Sequence, residues 1–84
     1  MKIGFIGGGL MADSIIRGIL KNEISLPQEI SVGEIIVERR EQLKEQYGLK
    51  VFETNISVLE AADLIIISVK PQNLLSVFKD LKGK

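Results

Sequence analysis

The sequence predicts an α/β fold: a parallel sheet of four strands in the order 3-2-1-4, with helices on both faces. Three observations point there. Short apolar runs alternate with amphipathic stretches four times along the 84 residues. The first run ends in Gly7-Gly8-Gly9 and passes straight into a helical pattern. The last run, Leu64 to Val69, is apolar almost without interruption, as in a strand covered on both faces.

Taken in order, Lys2 to Ile6 is a short β-branched run and reads as a buried strand. From Leu10 to Lys21 the apolar residues Met11, Ile15, Ile16, Ile19 and Leu20 recur at helical spacing, and Arg17 and Lys21 suit the negative end of the helix dipole. Asn22 to Gly33 is a connector punctuated by Pro27 and Gly33. Glu34 to Val37 is the expected second strand. Glu41 to Tyr47 is the second helix, with Gly48 placed for a left-handed C-terminal cap. Lys50 to Phe52 follows as the third strand and Ile56 to Ala61 as the third helix, capped by Thr54 or Asn55. After the fourth strand Pro71 breaks the chain, and Leu74, Leu75, Phe78 and Leu81 mark a fourth amphipathic helix.

The length allows one domain. Eleven basic residues balance eleven acidic ones, and no basic stripe is present, which argues against a nucleic-acid partner. The lack of Cys and His removes thiol redox chemistry, thiolate or imidazole metal sites and a histidine base, and no metal site is expected. No segment has the roughly 18 apolar residues of a membrane helix, and the apolar start is too short for a signal peptide. A soluble, cytoplasmic protein is the expectation. A doubly wound sheet normally continues past its fourth strand, so residues 1–84 read as the N-terminal part of a larger domain. The open edge of the fourth strand invites pairing, including with a second copy of the chain.

The strongest motif is Gly7-Gly8-Gly9-Leu10-Met11-Ala12, a G-x-G-x-x-A turn between a strand and a helix. Gly7 permits the tight turn, Gly9 lets a pyrophosphate approach the backbone, and Ala12 allows close helix–strand packing. The first amides of the helix then face the phosphates. In this context the turn predicts a Rossmann-like dinucleotide site. Met11 either touches the ligand or fills the core. Glu38-Arg39-Arg40, at the expected end of the second strand, is a mixed cue. An acid there accepts from the ribose 2′-hydroxyl of NAD, whereas arginines hold the 2′-phosphate of NADP. The pair of arginines tips the expectation to NADP, with NAD the other possibility, and a solvated helix start is the bland alternative. Asn55 belongs either to the same rim or to a helix cap. Lys70, in Ser68-Val69-Lys70-Pro71-Gln72, faces either the ligand or solvent. Asp13 and Asp63 suggest no paired-carboxylate chemistry, and there is no P-loop.

Three segments together carry a resemblance: the opening Met1 to Ala12 with its G-x-G-x-M-A turn, Ile35-Ile36-Val37 with the arginine-bearing turn behind it, and Ala62 to Gln72 with its V-K-P-Q loop. The chain resembles the N-terminal domain of the pyrroline-5-carboxylate reductases over essentially its whole length. The resemblance implies a reductase of proline biosynthesis, in which hydride passes from NADPH or NADH to a cyclic imine. It implies that Gly7, Gly8, Gly9, Leu10, Met11 and Ala12 hold the pyrophosphate and that Glu38, Arg39 and Arg40 meet the adenosine ribose. Asn55 lies near that ribose, and Val69, Lys70 and Pro71 line the nicotinamide side. Leu10 stands where the family usually has Asn, and the connector Asn22 to Gly33 is longer than usual. The helical domain that makes the dimer and holds the imine lies outside these residues, so no catalytic residue is expected among them. Related expectations are the cofactor domain of an F420-dependent NADP reductase or of a β-hydroxyacid dehydrogenase, the latter group often having Gly in place of Ala12 and lacking V-K-P-Q. A stand-alone nucleotide-binding or interaction module is a further alternative.

Overall fold

The computed structural model describes residues 1–69, 75 and 79. Its strands β1 (Ile3–Ile6), β2 (Ile30–Gly33), β3 (Lys50–Phe52) and β4 (Leu64–Ile67) form one parallel sheet in the order β3-β2-β1-β4. Helices α1 (Leu10–Lys21), α2 (Val37–Tyr47) and α3 (Asn55–Ala61) connect them. Ile6 pairs with Gly33 on one side and Ile67 on the other, and Gly33 pairs with Phe52. All four strands therefore end on one rim, where the site described below is assembled.

The alternation of side chains along each strand decides what covers each face. Ile3, Phe5, Ile30 and Val32 point to one face and form a buried core with Ala12, Ile16 and Ile19 of α1 and Leu43 of α2. Phe5, Ile16, Ile30, Val32 and Leu43 are wholly buried. Each of these stabilises the fold by about 1.5–3 kcal/mol relative to exposure. Gly4 and Gly33 point to the other face, which α3 covers. A Cβ on Gly33 would stand 2.9 Å from Asn55 Oδ1 and 3.1 Å from Val58 Cγ2. Glycine at these strand positions brings α3 down onto the backbone, and Val58 is fully buried there.

The helix ends follow local chemistry. The Gly48 backbone is left-handed, with φ 72°, and its amide donates to the Lys44 carbonyl at 2.9 Å, closing α2. Thr54 Oγ1 accepts the Ser57 amide at 3.4 Å and caps α3, so Thr54 takes the cap and Asn55 is freed for another role.

Two expectations are corrected. The second strand is Ile30–Gly33, not Glu34 to Val37, and α2 begins at Val37 rather than Glu41. In this register Ile30 and Val32 reach the core while Gly33 admits α3; a shift to Ile35–Val37 would place bulk where α3 must sit. Ile35, Ile36 and Val37 are instead 81%, 55% and 51% exposed. The fourth strand is not buried on both faces. It lies at the edge of the sheet, and Leu64 and Ile67 are exposed. Of the expected fourth helix, Leu74, Phe78 and Leu81 lie outside the described residues, while Leu75 and Lys79 are helical and exposed.

Candidate functional site

The turn after β1 is held from three directions. Gly7 adopts a left-handed φ of 98°, and its amide donates to the Gly33 carbonyl at 3.0 Å. Its own carbonyl accepts Ser68 Oγ at 2.7 Å, and the same hydroxyl lies 3.1 Å from the Ile6 carbonyl. A Cβ on Gly7 would stand 2.8 Å from both the Ser68 carbonyl oxygen and Val69 Cγ1. Gly8 is buried, and its amide donates to Glu34 Oε1 at 3.0 Å.

Gly9 differs from its neighbours. It is the N-cap of α1, provides no side-chain cap, and has open space where a Cβ would be. Leu10 and Met11, the first two helical residues, are 87% and 59% exposed. The first amides of a helix have no partner within it. Here they face outward behind a bare backbone, with the helix dipole positive at that end. The site thus fits an anionic diphosphate: the cradle that a Cβ at Gly9 would fill is open, and the helix is uncapped by protein.

The rim continues at the exit of β2. Glu34 is the first residue past the strand, and its amide donates to the Phe52 carbonyl at 2.9 Å. Its carboxylate bridges two amides, Gly8 through Oε1 and Ile36 through Oε2 at 3.2 Å. Beside it opens a cleft of about 270 Å³, lined by Ile35, Glu53, Thr54, Asn55 and Ile56. Two isoleucines and a set of polar atoms at its edge suit a flat heterocycle that needs stacking and a few hydrogen bonds.

Behind the turn, Asp13 of α1 is buried and joins α1 to α2. Its Oδ1 accepts Tyr47 Oη at 2.9 Å and Arg39 Nη2 at 3.3 Å, and its Oδ2 lies 2.9 Å from Arg17 Nε. Burial pushes the Asp13 carboxyl upward, but the hydrogen bonds from Tyr47 and Arg39 and the charges of Arg17 and Arg39 outweigh it and hold the group below its ordinary range. Arg39 also donates through Nε to the Gly8 carbonyl, fastening α2 to the glycine turn.

The structure brings Gly7, Gly8, Gly9, Leu10, Met11, Ala12, Asn55 and Val69 to one rim. Ala12 is fully buried against the sheet, as the motif requires. Met11 is exposed and does not fill the core. Glu38, Arg39 and Arg40 are not at a strand end; they occupy the first turn of α2, because β2 stops at Gly33. Glu38 is exposed. Arg40 donates to the Glu34 carbonyl at 2.6 Å and lies 3.9 Å from Glu53. Lys70 and Pro71 lie outside the described residues. Two residues escaped the sequence reading. Glu34 was hidden by the misplaced strand; the alternation Ile30-Ser31-Val32-Gly33 followed by an acid was the signal for it. Asp13 offered only its i,i+4 pairing with Arg17 as a local signal; its other partners, Arg39 and Tyr47, are 26 and 34 positions away.

The family described as NADP oxidoreductase, coenzyme F420-dependent, matches residues 2–84. Among curated proteins, the pyrroline-5-carboxylate reductase of Arabidopsis thaliana is 37% identical over 83 residues, covering 99% of this chain and 30% of that protein. The protein of the same name from Methanosarcina acetivorans is 34% identical over 83 residues, covering 99% of this chain and 31% of its own. Among solved structures, that of a pyrroline-5-carboxylate reductase from Coxiella burnetii superposes with a TM-score of 0.84 at 30% identity, covering 99% of this chain and 32% of that one. The chain spans under a third of the length of these relatives.

Proposed function

The chain belongs to the family of NADP oxidoreductases, coenzyme F420-dependent, and from that premise we propose that residues 1–84 are the dinucleotide-binding part of a reductase that converts pyrroline-5-carboxylate to proline. The observation that carries the dinucleotide reading is the uncapped start of α1 behind Gly9, where a Cβ would meet nothing within 4 Å. The substrate is inferred from relatives named for it that align along 99% of the chain.

In this reading each stretch of the rim has one task. The amides at the start of α1 bind the pyrophosphate, and Gly9 gives it access. Ile35 and Ile56 flank the adenine, with Asn55 at its edge. Val69, against Gly7, borders the path to the nicotinamide. When bound, the cofactor supplies a hydride to the imine carbon, and the imine nitrogen takes up a proton. The described residues orient the cofactor; the groups that place the imine belong to the remaining two-thirds of the relatives' length. The outer edge of β4 is where a further strand, of this chain or of a second copy, would add to the sheet. The cofactor preference turns on the ribose corner, where the arginines that point to NADP already bind protein atoms.

Calorimetric titration of the protein with NADPH and NADH tests the dinucleotide reading: saturable binding of at least one is expected, and binding of neither overturns it. An assay for imine-dependent NAD(P)H oxidation tests the reaction. Joined to the remaining two-thirds that the relatives have, residues 1–84 should turn over pyrroline-5-carboxylate, while alone they should not, because positioning of the two reactants supplies most of the rate.

A further inference from the structure

We infer that Glu34 selects the dinucleotide in this chain and selects against a 2′-phosphate, so that NAD(H) binds more tightly than NADP(H), although the family's description names NADP. The inference rests on the proposed dinucleotide site. It follows from three features of the corner between the glycine turn and the adenine cleft.

The first is where the carboxylate stands. Glu34 leaves β2 with its backbone pinned to Phe52, and its side chain is pinned by the Gly8 and Ile36 amides. It therefore lies between the diphosphate cradle at Gly8–Gly9 and the cleft beginning at Ile35. A ribose joining the two must pass over it. Hydroxyls donate to a carboxylate, whose two oxygens offer about four acceptor positions, of which the amides use two. A phosphate at the same place offers no donor when ionised and carries charge of the same sign.

The second is what the arginines are doing. Arg39 gives Nε to the Gly8 carbonyl, Nη1 to Gln42 at 3.2 Å and Nη2 to Asp13 at 3.3 Å. Arg40 gives Nη1 to the Glu34 carbonyl, and its Nη2 lies near Glu53. Their side chains are only 20% and 17% exposed. Turning Arg39 to a 2′-phosphate would take it from the Gly8 carbonyl, Gln42 and Asp13 at once, and turning Arg40 would draw it from the Glu34 carbonyl and from beside Glu53. The third is the local charge. Glu34 and Glu53 face the corner on either side of Arg40, and Arg39 is matched by Asp13. The corner has no surplus of positive charge to offer.

The test is competitive binding to the protein, read by calorimetry without turnover. NADH is expected to bind roughly tenfold or more tightly than NADPH, the scale of one charge-assisted hydrogen bond. AMP should likewise bind more tightly than adenosine 2′,5′-bisphosphate, which isolates the ribose corner from the nicotinamide. Glu34→Gln keeps an acceptor for the Gly8 amide and removes the charge; it should raise NADPH affinity and narrow the ratio severalfold. Tighter binding of NADPH by the unaltered protein overturns the inference whatever the variant does, as does a ratio that Glu34→Gln leaves unchanged. Failure to bind either cofactor overturns instead the dinucleotide site on which the inference stands.

Discussion

Gly7 and Gly9 differ in backbone conformation and in what surrounds them. Gly7 holds φ at 98°, and a methyl group there meets the Ser68 carbonyl oxygen at 2.8 Å. Gly7→Ala should therefore lower stability by at least about 2 kcal/mol in denaturant titration, since strained backbone and steric overlap add. Gly9 has φ −78° and nothing within 4 Å of a built Cβ. Gly9→Ala should leave stability within about 0.5 kcal/mol. It should nevertheless weaken dinucleotide binding roughly tenfold or more, because the methyl group occupies the path of the pyrophosphate. Equal stability losses for the two variants would show that both glycines serve packing alone. The tight turn at Gly7 was legible in the sequence, because a turn between strand and helix constrains its residues locally. The tasks of Arg39 and Arg40 were not: their partners Gly8 and Asp13, or Glu34 and Glu53, come together only when the helices pack.

Among the elements, β1, α1 and β3 were readable because each combines a clear apolar period with a stop signal, a glycine run or a capping residue. The second strand was misplaced because Ile35-Ile36-Val37 has the stronger β propensity, and the sheet does not choose by propensity. It chooses the segment whose alternation feeds one core and spares the other face for Val58. That error displaced the proposed ribose corner by one segment and hid Glu34. The joint between α1 and α2 is similarly a tertiary feature. Asp13 ties Tyr47, Arg39 and Arg17 together, and its carboxyl is held below its ordinary value of 3.8. A carboxylate depressed on folding contributes stability that is complete above its unfolded value and disappears as pH falls through the lower folded value. Melting measured along a pH series should show this loss beginning near pH 4 and deepening below it. Asp13→Asn should reduce stability at pH 7 by about 1–2 kcal/mol and flatten the acid limb. A variant with an unchanged acid limb would remove Asp13 from the joint.

For the molecule as a whole, strand order 3-2-1-4 places β1 at the centre, bonded on both sides, and all strand exits on one rim. The order and the open edge of β4 were legible from the alternation of strand and helix patterns; the exposure of Leu64 and Ile67 was not, since an apolar run does not by itself say whether both of its faces are covered. The ends of three strands converge on the glycine turn: Gly7 donates to Gly33, and Ser68 donates through its amide and hydroxyl to Ile6 and through the hydroxyl to Gly7. The consequence is a sharp boundary in isotope exchange. Deuterium should enter the Gly7 and Ser68 amides only when the entire sheet comes apart, while Leu10 and Met11, just past Gly7, should exchange within the native state. A dinucleotide that seats on α1 would slow the second pair by covering it and the first only by making unfolding of the whole rarer, so the turn joins a part of the protein that opens only by unfolding to one that stays open to a ligand.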